Sequence, residues 1–348
     1  MGKSTPLITV LLTLFSCLML NVTESHAQIK PDLFPEDFST EGDIGRTFCQ
    51  PGVIGKSRSK GLEIEYGNRG SGFYKGEGFE LVDRPSNFRK WENIKISAKI
   101  PVLLKEDLKI LIGYKYYGEY YNFNRVGNDF SRVIDQLNTT PLKSNNFSLI
   151  VSKSFNENRY LAVRFRYGLN GNYSGFIKND QRYAMYSLLG MYGIKPSENF
   201  EWGIGVNFSK NFRRFIAIPL ILINKNFNPK WGMELVLPGL VNLRCNVSDK
   251  DIILGGFEFS SNNFRLDVPD ATLPDLDYAY NQTHILGSVR YQRQLFPWVW
   301  TSVQVGYLFN FATEFESKNA QTTSFELEPT DNMFFKIGIF VSPESKDD

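Results

Sequence analysis

The chain has 348 residues, 39 basic against 37 acidic, with 15% aromatic residues and only two histidines. A content of 29 Phe and 17 Tyr excludes a disordered chain, whose composition lacks large apolar side chains. A formal charge of +2 gives no broad basic surface for nucleic acid.

Residues 1–27 read as a secretory signal peptide. Lys3 supplies the positive end, Leu7 to Leu20 form the apolar run, and Ser25-His26-Ala27 supplies the small residues of a cleavage site. Cleavage before Gln28 removes His26 and leaves His284, so any site that needs two histidines is excluded. The run falls short of the about 20 residues of a membrane-spanning helix, and no later stretch is long or apolar enough for one. Cys49 and Cys245 remain, expected as two unpaired thiols, with a single bridge as the alternative.

Residues 28–58 carry Pro31, Pro35 and Pro51 and no sustained period. They read as a periplasmic N-terminal extension without a core of its own. From about Lys60 apolar residues alternate with polar or small ones, which is strand period. Ile94, Ile96, Ala98, Ile100 and Val102 oppose Lys95, Ser97 and Lys99. Leu161, Val163, Phe165 and Tyr167 oppose Arg164 and Arg166, and Val299, Val303, Val305 and Tyr307 oppose Ser302 and Gln304. No segment offers a convincing amphipathic helix, so the chain reads as all-β.

The links between these runs alternate in length. Short ones fall at Lys105-Glu106-Asp107, Asn156-Glu157-Asn158, Lys195 to Glu198, Ser248 to Asp251 and Leu295-Phe296-Pro297. Longer polar stretches fall at 68–90, 124–143, 170–181, 261–282 and 316–331. Tight turns at one end and long loops at the other are the pattern of a transmembrane antiparallel β-barrel, with short periplasmic turns and long extracellular loops. The barrel is expected over 59–342, with 343–348 as a polar C-terminal tail. The runs predict about fourteen strands, with about twelve as the alternative. The count is soft at Phe215–Ile223, apolar on both faces, and around the tight turn Pro238-Gly239. Pro101 and Pro219 would mark bulges or strand ends.

In such a barrel the apolar faces meet lipid and the polar faces line the lumen. Trp202, Trp231, Trp298 and Trp300 gather at the short-turn end as an aromatic girdle, and Tyr114, Tyr116, Tyr120, Tyr121 and Phe123 lead into a long loop. Strand phase puts Lys95, Lys99, Lys109, Lys115, Arg164, Arg166, Arg244, Arg290 and Lys336 inside, against Glu63, Glu65, Glu201, Glu234 and Glu258. That balance predicts either a polar pore favouring anions or a lumen filled by paired charges. His284 is placed on the inner face near the long-loop rim, in water. Ser288 lies four residues along the same face, about 13 Å away, too far for a catalytic pair. Asp267, Asp270, Asp275 and Asp277 cluster at one loop, where calcium would need oxygen ligands, but the spacing of an EF-hand is absent.

The leader, the hairpin rhythm and the stretch Trp231-Gly232-Met233-Glu234-Leu235-Val236-Leu237-Pro238 give the chain its resemblance. The stretch runs on to Asn242-Leu243-Arg244 and Gly255-Gly256-Phe257-Glu258. With these features the chain resembles the uncharacterised outer-membrane β-barrel families of Bacteroidota, a domain of unknown function. The resemblance implies an outer-membrane location and supplies no activity. The chain departs from the usual barrel ending, because Ser342 to Asp348 follow the last strand, so the insertion signal would end near Phe340.

The expected role is a narrow channel for small polar or anionic solutes, or a structural barrel whose outer loops bind a ligand. Outer-membrane lipid, the barrel-insertion machinery and a small polar solute are the expected partners. No cofactor, metal, nucleic acid or enzymatic activity is expected. The alternatives are a barrel hydrolase acting on lipid through His284 and a secreted β-sandwich binding polysaccharide.

Overall fold

A computed structural model describes residues 48–76, 86–123, 130–178, 180–212, 215–269, 276–317 and 325–342. The expected signal peptide and polar tail lie outside the described residues. Sixteen strand segments form one sheet. In chain order they are β1 (Leu62–Arg69), β2 (Gly72–Gly76), β3 (Ser86–Leu104), β4 (Leu108–Phe123), β5 (Leu142–Asn156), β6 (Arg159–Gly171), β7 (Ala184–Ser197) and β8 (Phe200–Lys210). There follow β9 (Phe215–Asn226), β10 (Trp231–Leu237), β11 (Leu240–Ser248), β12 (Asp251–Val268), β13 (Leu276–Phe296), β14 (Val299–Ser317), β15 (Phe325–Pro329) and β16 (Asn332–Val341).

Two pairs of segments are single staves interrupted once. β1 and β2 both run against β3, at Leu62↔Ala98 and Gly72↔Phe88. β15 and β16 both run against β14, at Thr313↔Leu327 and Val299↔Val341. The sheet is therefore a closed antiparallel barrel of 14 staves, each hydrogen-bonded to its neighbours in sequence. Pairing of β1 with β16, at Leu62↔Val341, closes the ring. Pro101 does sit at a bulge, where the β3–β4 register shifts between Pro101 and Leu103. Pro219 pairs with Val206 of β8 just beyond the point where the β9–β10 ladder stops at Ile221.

The strand period has the polarity of a membrane barrel in its lower part. In β1, Ile64 and Tyr66 face out while Glu63, Glu65 and Arg69 face in. Ile100 is 63% exposed and Phe257 57%, whereas Glu201 and Arg244 are at most 1% exposed. A water-facing barrel would carry the opposite arrangement.

Toward the long-loop end the polarity inverts. In β3 Lys90 faces out while Trp91 is buried within the barrel, and in β4 Asn122 faces out while Tyr121 and Phe123 are buried. This inversion corrects the expected loops at 68–90, 261–282 and 316–331. Their described residues are largely strand, because an outer face that meets water above the apolar band no longer shows apolar alternation. β13 thus reaches 21 residues and β14 reaches 19, while β10 has 7 and β11 has 9. A span needs about 9–11 residues, so one side of the wall stands well above the other.

Over the low side the tall staves meet directly. The end of β6 bridges to β12 at Gly171↔Arg265. The Asn172 amide donates to the Asp267 carbonyl at 2.6 Å and accepts from the Asp267 N–H at 2.9 Å. A Cβ on Gly171 would lie 2.5 Å from the Arg265 carbonyl oxygen, so only glycine permits this approach. The result is a narrower collar set on the barrel.

A helix, α1 (Phe130–Thr139), lies between β4 and β5 and corrects the expectation of no amphipathic helix. Val133, Ile134 and Leu137 are buried against the inverted aromatic faces: Trp91, Tyr121, Phe264, Tyr280 and Phe315.

Candidate functional site

The lumen is divided into a lower cork, a chamber and an upper cork. Residues 48–60 enter the short-turn end and lie against the inner wall. The Gly52 N–H donates to Glu201 Oε1 at 2.9 Å. Ser57 donates to Glu234 through its N–H at 2.8 Å and its hydroxyl at 2.6 Å, and Lys60 pairs with Glu63 at 2.6 Å. Glu234 also holds Arg244, at 2.9 Å. Gly52 and Gly55 have φ of 104° and 64°, a conformation L side chains rarely adopt, and they let the segment turn tightly under the wall. Below the chamber, Cys49 joins Leu111, Ile150, Leu189, Leu220 and Leu222 in an inward-facing apolar cluster. That cluster explains why Phe215–Ile223 is apolar on both faces: one meets the exterior and the other meets this packing.

Above the cork lies a cavity of about 200 Å³. Among the described residues its lining includes nine cations: Lys60, Arg69, Lys95, Lys99, Lys115, Arg164, Arg166, Arg290 and Lys336. It includes three carboxylates, Glu63, Glu65 and Glu258. Two of these carboxylates are engaged. Glu63 takes Lys60 and, at 2.8 Å, Lys95, while Glu65 faces Lys336 at 3.8 Å. Arg290 donates to Gln304 Oε1 at 2.9 Å.

The upper cork is α1 on its aromatic floor. Trp91 stacks on Tyr121 with centroids 5.1 Å apart, and Tyr280 on Phe315 at 4.4 Å. Glu119, fully buried, accepts from the hydroxyls of Tyr117 and Tyr121 at 2.7 Å and from Asn262 at 3.2 Å. Asn138 clips the helix to β4, accepting from the Phe123 N–H at 2.6 Å and donating to its carbonyl at 3.2 Å.

Of the residues expected inside from strand phase, Lys95, Lys99, Lys115, Arg164, Arg166, Glu258 and Arg290 come together on the chamber wall. Lys109, Glu201 and Arg244 are also buried but do not line the chamber; Glu201 and Arg244 belong to the seat of the lower cork. Trp202, Trp231 and Trp298 are exposed as expected for outward rings. Trp300 is a correction: it is 2% exposed and stacks on Phe340 within the barrel. Its parity is that of Ser302 and Gln304, the inward set, and Arg58 of the cork lies 5.4 Å from its ring.

His284 is a second correction, being 2% exposed rather than at a wet rim. Its Nε2 lies 3.4 Å from Arg69 Nη2. Arginine can only donate, so the ring nitrogen that would serve a serine as base already faces a donor. Asp267 and Asp277 face each other across the β12–β13 ladder. Each is held by an arginine, Asp267 by Arg182 at 3.6 Å and Asp277 by Arg265. Asp270 and Asp275 lie outside the described residues. Cys49 and Cys245 are both free thiols.

Sequence reasoning missed Lys60, Arg69 and the chamber position of His284. Arg69 shares parity with Glu63 and Glu65, and that was the available signal, but it sat in a stretch read as loop.

No protein-family model matches the chain, and no curated protein matches its sequence. Solved structures do. A Pseudomonas aeruginosa FadL homologue aligns at 9% identity with a TM-score of 0.44, covering 81% of this chain and 90% of that one. The translocator domain of the autotransporter NalP from Neisseria meningitidis aligns at 10% identity and TM-score 0.30, covering 82% and 89%. The outer membrane protease OmpT from Escherichia coli aligns at 13% identity and TM-score 0.27, covering 83% and 99%.

Proposed function

We propose that this chain is an outer-membrane barrel that admits small anionic solutes through its lumen, with the basic chamber as the selective step and the two corks holding it shut at rest. The observation that carries this reading is the chamber's charge, nine cations against three carboxylates, inside a wall whose outer band is apolar. Nine basic groups against three acidic ones give the described lining a positive balance, and such a lining is stabilised when an anion enters. Rings of basic side chains are how pores select anions. The apolar band supports lipid as the outer partner. In this reading the short turns and the lower cork face the periplasm, the collar faces outward, and insertion uses the strand that ends near Phe340.

The zero-current potential of the reconstituted protein under a salt gradient tests this. The expected result is anion selectivity that Arg164→Glu with Arg166→Glu turns toward cations. A conductance whose selectivity ignores that double charge reversal would overturn the proposal.

A further inference from the structure

The roof of the chamber holds two side chains with unmet donors. Arg69, on β1, is 5% exposed, and its guanidinium carbon lies 3.6 Å from the centre of the Trp91 ring. Stacking there fixes the plane of the fork. Nη2 is directed at His284 Nε2, 3.4 Å away. Because arginine cannot accept, His284 Nε2 carries the lone pair and the ring proton sits on Nδ1. Arg69 Nη1 and His284 Nδ1 are both buried, and neither has a hydrogen-bond partner. Among the described residues no carboxylate pairs with Arg69. Both side chains line the cavity, as does Lys336.

A buried guanidinium with a free edge, held rigid and without a counter-ion, is an incomplete site. The missing component must accept hydrogen bonds and carry negative charge. We infer that Arg69, positioned by Trp91 and His284, is the anchoring residue for an oxyanion of the carboxylate or phosphate type at the roof of the chamber. This deepens the reading of the chamber as an anion path and rests on it. His284 acts as a positioning residue: its lone pair holds Nη2, so Nη1 remains for the ligand. Lysine at position 69 would retain charge but lose the flat face on Trp91 and the second donor.

The test uses the full chain in detergent micelles with nitrogen-15 histidine. His26→Gln leaves His284 as the one imidazole, since the chain has two histidines. Acetate and inorganic phosphate are added separately at constant ionic strength, with chloride as the balancing salt, and the two titrations distinguish carboxylate from phosphate. A saturable shift of the His284 nitrogens is expected. Arg69→Gln should raise the half-saturating concentration at least tenfold, and Arg69→Lys should restore part of the response. Faster migration without boiling shows that each variant is folded. A shift that does not saturate in the unsubstituted protein, or one that Arg69→Gln leaves unchanged, overturns the site. Anion-selective conductance without a saturable, Arg69-dependent shift refutes this site while sparing the chamber reading. The shift without conductance does the reverse.

Discussion

Glu234 is the residue on which the lower cork turns. It is 4% exposed, takes two hydrogen bonds from Ser57 and holds Arg244. Glutamine in its place keeps the shape but loses the charge-assisted bonds, each stronger than a neutral one. The thiol of Cys49 reports the result, because burial pushes it up to about 11 and only the thiolate reacts with alkylating reagents. Weakening the seat by about 1–3 kcal/mol corresponds to a shift of roughly 5- to 150-fold in the open fraction. In a Cys17→Ser, Cys245→Ser background, Glu234→Gln is therefore expected to speed Cys49 alkylation by about that factor. Equal rates would show that Glu234 does not seat the segment. At this scale the sequence was legible through parity. Alternation placed Arg164, Arg166 and Glu201 inside without any structure, and it would have placed Trp300 there too. Ring chemistry suggested a girdle where parity said lumen, and parity held. Arg69 and His284 were not legible, because their setting is made by staves far apart in the chain.

Among the elements, α1 depends most on its surroundings. It has ten residues, and helices under about 12–15 residues are marginal alone. Its stability therefore comes from Val133, Ile134 and Leu137 on the aromatic floor. Ile134→Ala with Leu137→Ala should cost about 2–5 kcal/mol at each site. Amide exchange is then expected to rise across 130–139 while the β5–β6 and β13–β14 ladders stay protected. Loss of protection throughout the wall would mean that the helix is structural rather than a cork. The helix escaped sequence reasoning: Phe130, Val133, Ile134 and Leu137 stand at helical spacing, but ten residues are too short a run for that period to stand out from a loop. The aromatic floor escaped for a related reason: its strands carry polar residues outside, so they resemble loops to a search for apolar outer faces.

The whole molecule joins two barrels of opposite polarity: an apolar-skinned ring of 14 staves and a collar with polar residues outside and aromatics within. The expected behaviour is that of the lower ring. The protein should need detergent for extraction, and unboiled samples should migrate faster on denaturing gels than boiled ones. A mature chain fully soluble in plain buffer would contradict a lipid-facing wall. Sequence patterning gave access to the lower ring, since an apolar outer face leaves a period of two. The corks are tertiary objects, and their partners lie far along the chain.

Those separations bear on how the molecule is made. Gly52 and Ser57 are joined to wall residues 149 and 177 positions later, and Asn246 reaches back to Gly55 across 191. The segment stands immediately before β1, yet the staves that grip it are made much later, and β16 must still arrive to shut the ring. A peptide threaded into a finished cylinder would have to find a narrow opening. In chain order the segment precedes every stave, and the wall that encloses it is closed by the last one, β16, pairing with β1. Contacts of such sequence separation make slow folding the rule.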